Sequence, residues 1–218
     1  MIRDSIEALV NGSSLTVEEA ADAMTAIMTG EATPAQFGAF VTALRLKGET
    51  AQEIAGMARV MREMSLHVEF DGDLVDTCGT GGDGSGSFNV STAAAFVAAG
   101  AGATVAKHGN RAMSGATGSA DVLETLGVRI DLGPEGVKRC LEQVGFGFMF
   151  AQRYHPSMRF AAGPRREIGI RTVFNILGPL TNPASARRQV IGVADTSIGE
   201  RMAQVLGMLG TERALVVH

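Results

Sequence analysis

Along the first 66 residues, apolar side chains recur three and four positions apart: Val17, Ala21, Met24, Met28, then Phe37, Phe40, Val41, Leu44, then Ile54, Met57, Met61, Met64. That period places them on one face of successive helices and predicts a small bundle packed through Met-rich surfaces. Start and stop signals agree. Thr16 with Glu19 and Thr50 with Glu53 are spaced as capping boxes, and Thr33 precedes Pro34 at a first helical position, with Gln36 in the same turn. Gly30 and Gly48 stand where helices should stop.

The period changes after "HVEFDGD", residues 67–73. Short apolar runs, "LVDTC", "ATVAKH", "VRIDL", "FGFMFA", "QVIGVAD" and "RALVVH", then alternate with helix-length segments such as "STAAAFVAAG", "ADVLETLG", "PEGVKRCLEQVG" and "GERMAQVLGMLG". Continuous apolar strands separated by helices predict a mainly parallel sheet covered on both faces. The fold class is therefore α/β, with a helical domain over residues 1–69 and an α/β domain over 70–218. The stretch "RFAAGPRREIGIRTVFNILGPLTNP" has helical pieces and no strand, so parts of 156–187 are expected to rejoin the helical domain.

Composition sharpens this picture in three places. With 218 residues, 45% of them hydrophobic and no apolar run near the roughly 20 residues of a membrane span, a soluble protein with a sizeable core is expected. The acidic N-terminus lacks a signal-peptide pattern, which points to the cytoplasm. Cys78 and Cys140 have no zinc spacing and read as small buried residues. A net charge of -4 gives no reason to expect nucleic acid or an anionic membrane as partner. Yet between Arg153 and Arg188 seven arginines face one acid, Glu167, a local excess that suits an anionic ligand or a solvated face.

The chemistry concentrates in "DTCGTGGDGSGSFNVST", residues 76–92, with five glycines from 79 to 86. Gly79, Gly81 and Gly84 match a dinucleotide fingerprint, but the acid expected at the end of the next strand is replaced by "KHGNR", residues 107–111. A phosphate-binding loop of the Lys-Ser/Thr kind fits less well still, because Ser87 and Phe88 follow Gly86. What remains is a run of amides free to turn toward one anion at a helix start, where Asn89, Ser91 and Thr92 either cap the helix or bind phosphate oxygens. Lys107, one of three lysines beside sixteen arginines, closes an apolar strand and can reach a phosphate as a point charge. His108 either contributes to the same site or simply ends the strand, and Asp83 fits ribose hydroxyls, a metal's waters or an Asx turn.

Together "CGTGGDG", "FNVSTAAAFV", "AKHGNR", "GSADVLETLG" and "GIRTVFNILGPLTNP" resemble the anthranilate phosphoribosyltransferase family. The resemblance implies transfer of a phosphoribosyl group from 5-phosphoribosyl 1-diphosphate to anthranilate, with Mg²⁺, in tryptophan biosynthesis. It implies a small helical domain hinged to an α/β domain, as in nucleoside phosphorylases, and a homodimer formed through the helical part. It would place Gly79, Gly82, Asp83, Ser87, Asn89, Val90, Ser91, Thr92, Lys107 and Ser119 around the donor, with Ser91 on magnesium. Asn110 and Arg165 would hold anthranilate, with Gly79, His108, His155, Gly178 and Pro179 lining its site.

Two departures qualify the resemblance. Where the family commonly reads "SSKSG", residues 114–118 are "SGATG", which removes a lysine; either donor affinity falls or Arg111 compensates. The family's acidic Asp-Glu pair for magnesium follows the strand that "RALVVH" represents, so weak turnover by the 218-residue chain alone is expected. A nucleic-acid-binding relative without catalysis and a pyrimidine nucleoside phosphorylase are the alternatives.

Overall fold

The computed structural model describes residues 2–82, 84, 86–112 and 117–218. Four helices come first: α1 (Ile2–Val10), α2 (Val17–Met28), α3 (Pro34–Lys47) and α4 (Ala51–Glu63). Thr16, Thr33 and Thr50 each accept from the backbone N–H three residues on, while Glu19, Gln36 and Glu53 reach back to the cap amide. All three capping boxes form. Gly48 ends α3 with φ +89°, a conformation that a side chain would strain.

Glu53 does more than cap. Fully buried, its carboxylate accepts from the amides of Thr50 (2.7 Å) and Leu15 (2.9 Å) and pairs with Lys47 at 3.0 Å. One acid thus ties the approach to α2, the end of α3 and the start of α4 together. Beside it, α4 crosses α2 so closely that a Cβ on Gly56 would lie 2.2 Å from the Val17 carbonyl oxygen.

The second half alternates strand and helix: β1 (Val75–Gly79), α5 (Val90–Gly100), β2 (Val105–Gly109), α6 (Ser119–Thr125), α7 (Pro134–Val144), β3 (Phe146–Phe150), α8 (Ala151–Tyr154), α9 (Arg159–Ile168), α10 (Phe174–Leu177), β4 (Arg188–Gly192), α11 (Gly199–Met208) and β5 (Arg213–Val217). The sheet order is β3-β2-β1-β4-β5 and every neighbouring pair is parallel. The order reverses at β1, with β2 on one side and β4 on the other, so the connections leaving the carboxyl ends of β1 and β4 run in opposite directions, the usual ligand position in open α/β sheets.

"VRIDL" is not a strand. Residues 128–132 form loop and turn, because their apolar side chains serve two different clusters. Val128 and Ile130 pack with Leu123 and Phe148, while Leu132 joins Val137, Leu141 and Tyr154. The period-two pattern is real, but it reports packing without a ladder. Cys78 and Cys140 are both half-buried, where fully buried positions were expected.

Segment 159–183 packs on the bundle: Ala161, Val173, Phe174, Leu177 and Leu180 share one core with Phe37, Phe40, Leu44 and Met57. Phe174 and Phe37 lie 5.5 Å apart between ring centroids. The same core takes in Ile191 of β4 and Met202, Val205 and Leu206 of α11, so one sheet face and the bundle are joined through apolar contact. Arg62 strengthens the joint by donating to the carbonyls of Leu180 (2.6 Å) and Leu209 (3.2 Å).

The close α2–α4 crossing reverses the usual sign of a Gly-to-Ala change in a helix. Gly56→Ala is expected to destabilise by ~1–3 kcal/mol through overpacking. Gly207→Ala, in α11 with no heavy atom within 4 Å of the added methyl, is expected to gain up to ~1 kcal/mol. Urea unfolding of both variants checks the pair, and equal behaviour would mean that the crossing is looser than described.

Candidate active site

The glycine run is the turn from β1 into α5. Its entrance is pinned: the Thr80 amide donates to the Gly192 carbonyl at 2.9 Å, and the Thr80 hydroxyl accepts from the Ala194 amide at 3.1 Å. Gly79 lies against the same Gly192 oxygen, 3.3 Å from where a Cβ would stand. Beyond that anchor the chain is left-handed at Gly81, Gly82, Gly84 and Gly86, with φ between +64° and +74°. Among the described residues, no backbone-to-backbone hydrogen bond uses the amides of these four glycines, and nothing lies within 4 Å of a Cβ at Gly81, Gly84 or Gly86. The described loop residues are exposed, and such a backbone can present several N–H donors to one anion.

At its far end Asn89 caps α5. Its Oδ1 accepts from the Thr92 amide (3.1 Å), the Thr92 hydroxyl (2.7 Å) and the Ser91 hydroxyl (3.1 Å), while its Nδ2 reaches the Thr117 carbonyl at 3.5 Å. Asn89 is thus occupied as a cap through its oxygen, and a ligand would reach its Nδ2 only by displacing the long contact to Thr117. Ser87 and Val90 are exposed beside it, whereas Thr92 is buried. Asp83 lies outside the described residues, as do Ser114 to Ala116 of the departing "SGATG" stretch.

Lys107 is not on the surface. It is 1% exposed, and its ammonium donates to the Thr77 carbonyl and, at 3.2 Å, to the Ser91 hydroxyl. The positive charge sits beneath the first turn of α5, on the same side as the helix dipole's positive end. Asp76, fully buried on β1, faces this cation and accepts from the His108 amide at 3.3 Å. Burial pushes the Asp76 carboxyl up and the Lys107 ammonium down, while each charge pulls the other back toward its ionised form. Asp76 escaped the sequence reading, although an acid inside an apolar strand just before a glycine run was a visible signal.

His108 and His155 come together, with ring centroids 5.0 Å apart and both side chains buried. Each leaves Nε2 without a hydrogen-bond partner. Gly178 reaches His108 through its backbone, and Pro179 is buried alongside, its carbonyl accepting from Gln189 at 2.9 Å. Burial, then the neighbouring His155, lowers His108 to about 3; burial lowers His155 to about 4. Both rings are neutral at pH 7.

Asn110 and Ser119 are joined, the Ser119 hydroxyl donating to the Asn110 carbonyl at 3.3 Å. Arg111 is committed elsewhere, paired with Asp121 at 3.0 Å and Glu124 at 2.7 Å, so compensation for the missing lysine would require it to leave two acids. The arginine excess divides. Arg187 and Arg188 pair with Glu212 and Asp73 at the opposite, amino end of the sheet. Arg165 stays near the bundle, half-buried, 5.1 Å over the Phe174 ring, and has no ion-pair partner among the described residues. A partly desolvated cation without a counter-charge is suited to an anionic group such as a carboxylate. Arg171, also unassigned from sequence, donates to the Gly81 carbonyl at 3.2 Å.

Among the described residues no three carboxylate, imidazole or thiol groups converge as a metal cage. Ser91, the expected magnesium contact, already donates to Asn89 and accepts from Lys107. A divalent cation would fit here only with phosphate oxygens completing its shell, a common arrangement for magnesium. A groove of about 620 Å³ between α4 and α11, lined by Thr50, Ala51, Gln52, Gln204, Gly207 and Met208, has no cationic side chain among these residues and lies apart from the strand ends.

Fold and site define an α/β protein with an appended helical bundle and a glycine-rich loop at its strand ends, the kind of loop that suits an anion. Residues 71–218 match the a/b domain of a glycosyl transferase family and residues 3–65 its helical bundle domain, and the chain belongs to that family. It is 67% identical over 217 residues to the anthranilate phosphoribosyltransferase of Roseiflexus castenholzii, covering 64% of that protein. The solved anthranilate phosphoribosyltransferase from Thermus thermophilus superposes with a TM-score of 0.91 at 49% identity, over 95% of this chain and 64% of that one. That from Saccharomyces cerevisiae in complex with PRPP and Mg gives 0.91 at 28% identity, over 99% of this chain and 64% of that one. The chain thus spans just under two thirds of the length of these relatives. No helix among the described residues is long and apolar enough to cross a membrane.

The histidine pair predicts a pH dependence. Unfolded imidazoles take up protons below about 6.5, whereas these two resist until about 3 and about 4, so the unfolded state binds more protons in between. Their contribution to stability is complete above about pH 6.5 and falls on acidification by up to ~1.4 kcal/mol per pH unit for each ring. Urea midpoints at pH 7 and pH 5 should differ less in His155→Gln than in the parent chain; an unchanged difference would contradict the buried neutral pair.

Proposed function

We propose that this chain carries the donor and acceptor sites of an anthranilate phosphoribosyltransferase, acting in tryptophan biosynthesis on 5-phosphoribosyl 1-diphosphate and anthranilate. The observation that carries the reading is the exposed, left-handed backbone at Gly81, Gly82, Gly84 and Gly86, running into the capped start of α5 with Lys107 beneath it. A diphosphate matches that arrangement in charge and extent. The name shared by the relatives supplies the sugar and the acceptor.

In this reading the anthranilate nitrogen attacks C1 of the ribose while the C1–oxygen bond to diphosphate breaks. The bonding pair leaves on the diphosphate oxygen, and the amine proton passes to water. Negative charge grows on the leaving group, so preorganised N–H donors and the Lys107 ammonium stabilise departure more than they stabilise the bound donor. Bound beside Ser91 and the donor's phosphates, Mg²⁺ would add charge stabilisation of the same leaving oxygens. Arg165 holds the acceptor carboxylate and Asn110 its polar edge. His108 and His155, neutral, supply a buried acceptor-side wall that adds no second positive charge beside the developing ribosyl cation. Positioning rather than a covalent nucleophile provides the rate.

The reading extends to a cytoplasmic homodimer through the bundle. Val10 and Leu46, 70% and 82% exposed on α1 and α3, are the apolar side chains available for such a contact.

Calorimetric titration of the donor in Mg²⁺ tests the reading. Saturable binding is expected in the parent chain, with at least tenfold weaker affinity in Lys107→Met, as follows from losing a charge-assisted contact of ~1.5–3 kcal/mol. Circular dichroism controls for folding of the variant. Absence of donor binding in the parent chain, or equal affinity in a folded Lys107→Met, would overturn the assignment.

A further inference from the structure

A loop whose glycines turn left-handed has a weakness that follows from the same property. Gly81 and Gly82 both have positive φ and neither carries a Cβ, so the peptide plane between them can rotate by half a turn at little steric cost. In a trans peptide the carbonyl of Gly81 and the N–H of Gly82 share one plane and point in opposite directions. A flip would carry the Gly82 donor to the wrong side. Something must choose between the two states if this amide is to face a ligand before the ligand arrives.

Arg171 makes that choice in the structure. Its guanidinium donates to the Gly81 carbonyl at 3.2 Å across 90 residues of sequence. The Arg171 backbone is itself held from the bundle, since Arg45 at the end of α3 donates to the Arg171 carbonyl. Directly after it, Thr172 is buried and its amide donates to Asn175 Oδ1 at 2.9 Å, which fixes the start of α10. The chain of contacts runs from α3 through Arg171 into the amide loop. Thr80 and Asn89 anchor the ends of the loop, and among the described residues the hydrogen bond on the Gly81–Gly82 plane is the one from Arg171.

We propose that Arg171 is a positioning residue for the donor loop: by holding the Gly81 carbonyl it turns the Gly82 N–H away from itself and toward the ligand side, and Arg45 makes this orientation depend on the helical bundle. The inference rests on the donor-binding reading of the loop. It adds that the bundle and the loop are mechanically coupled at one hydrogen-bonded arginine. Because Arg171 is exposed and outside the core, its loss leaves global stability nearly unchanged.

Four variants, Arg171→Ala, Arg171→Lys, Arg45→Ala and the Arg45→Ala/Arg171→Ala double, test this with two readouts. The first is the amide resonance and hydrogen exchange of Gly82 in the chain without ligand. The second is affinity for 5-phosphoribosyl 1-diphosphate in Mg²⁺. Arg171→Ala should shift the Gly82 resonance, speed its exchange and weaken donor binding roughly tenfold, in line with one hydrogen bond from a charged group. Arg45→Ala should act in the same direction more weakly, and the double variant should be no worse than Arg171→Ala, since both lie on one path. Unchanged Gly82 signals in Arg171→Ala would overturn the proposal, as would full restoration by Arg171→Lys, which would show that a charge near the loop suffices. If the parent chain binds no donor while the Gly82 signals respond as expected, the coupling stands and the assignment of the donor fails.

Discussion

Four left-handed residues within positions 81–86 impose a constraint on everything around them. Such a backbone disfavours side chains at those positions, so it has little packing of its own, and it can turn successive amides toward one anion. An arrangement of this kind is held largely by what surrounds it. Here the flanks are the β1–β4 ladder, which fixes Thr80, and the Asn89 cap, which fixes the start of α5. The parallel sheet matters to function chiefly because it delivers these two anchors to one end.

The buried Asp76–Lys107 arrangement belongs to the same constraint. A desolvated ammonium is costly, and this one is retained by a carbonyl, a hydroxyl and a facing carboxylate. Its position beneath Ser91 concentrates positive potential at the helix start without a flexible side chain that must be ordered on binding. The acceptor side is arranged differently. Arg165 is only half-buried, over an aromatic ring, and the adjacent histidines are uncharged. In the proposed reading, one side takes a multiply charged group and the other a flat, singly charged one.

Much of this was legible in the chain. The three Thr boxes set the helix starts because capping is local, and each signal lies within four residues. The strand ends carrying Gly79 and Lys107 were legible because parallel strands are apolar throughout and end abruptly in polar residues. What could not be read depends on distant contacts. "VRIDL" imitates a strand because two unrelated clusters happen to claim alternate residues. Lys107 was legible as a cation closing an apolar strand, but only the fold places Thr77 and Ser91 over its ammonium. Arg171 was one arginine among seven until the return of 159–183 to the bundle brought it to Gly81.

The central claim is that the glycine amides and the first turn of α5 bind a diphosphate directly. Amide spectra of the ¹⁵N-labelled chain during titration with inorganic diphosphate and Mg²⁺ test it most directly. The account predicts that the largest shifts fall on Gly81, Gly82, Gly84, Gly86, Ser91 and Thr92, saturating together. Shifts confined to surface arginines away from the loop, or no saturable change at these six amides, would contradict it.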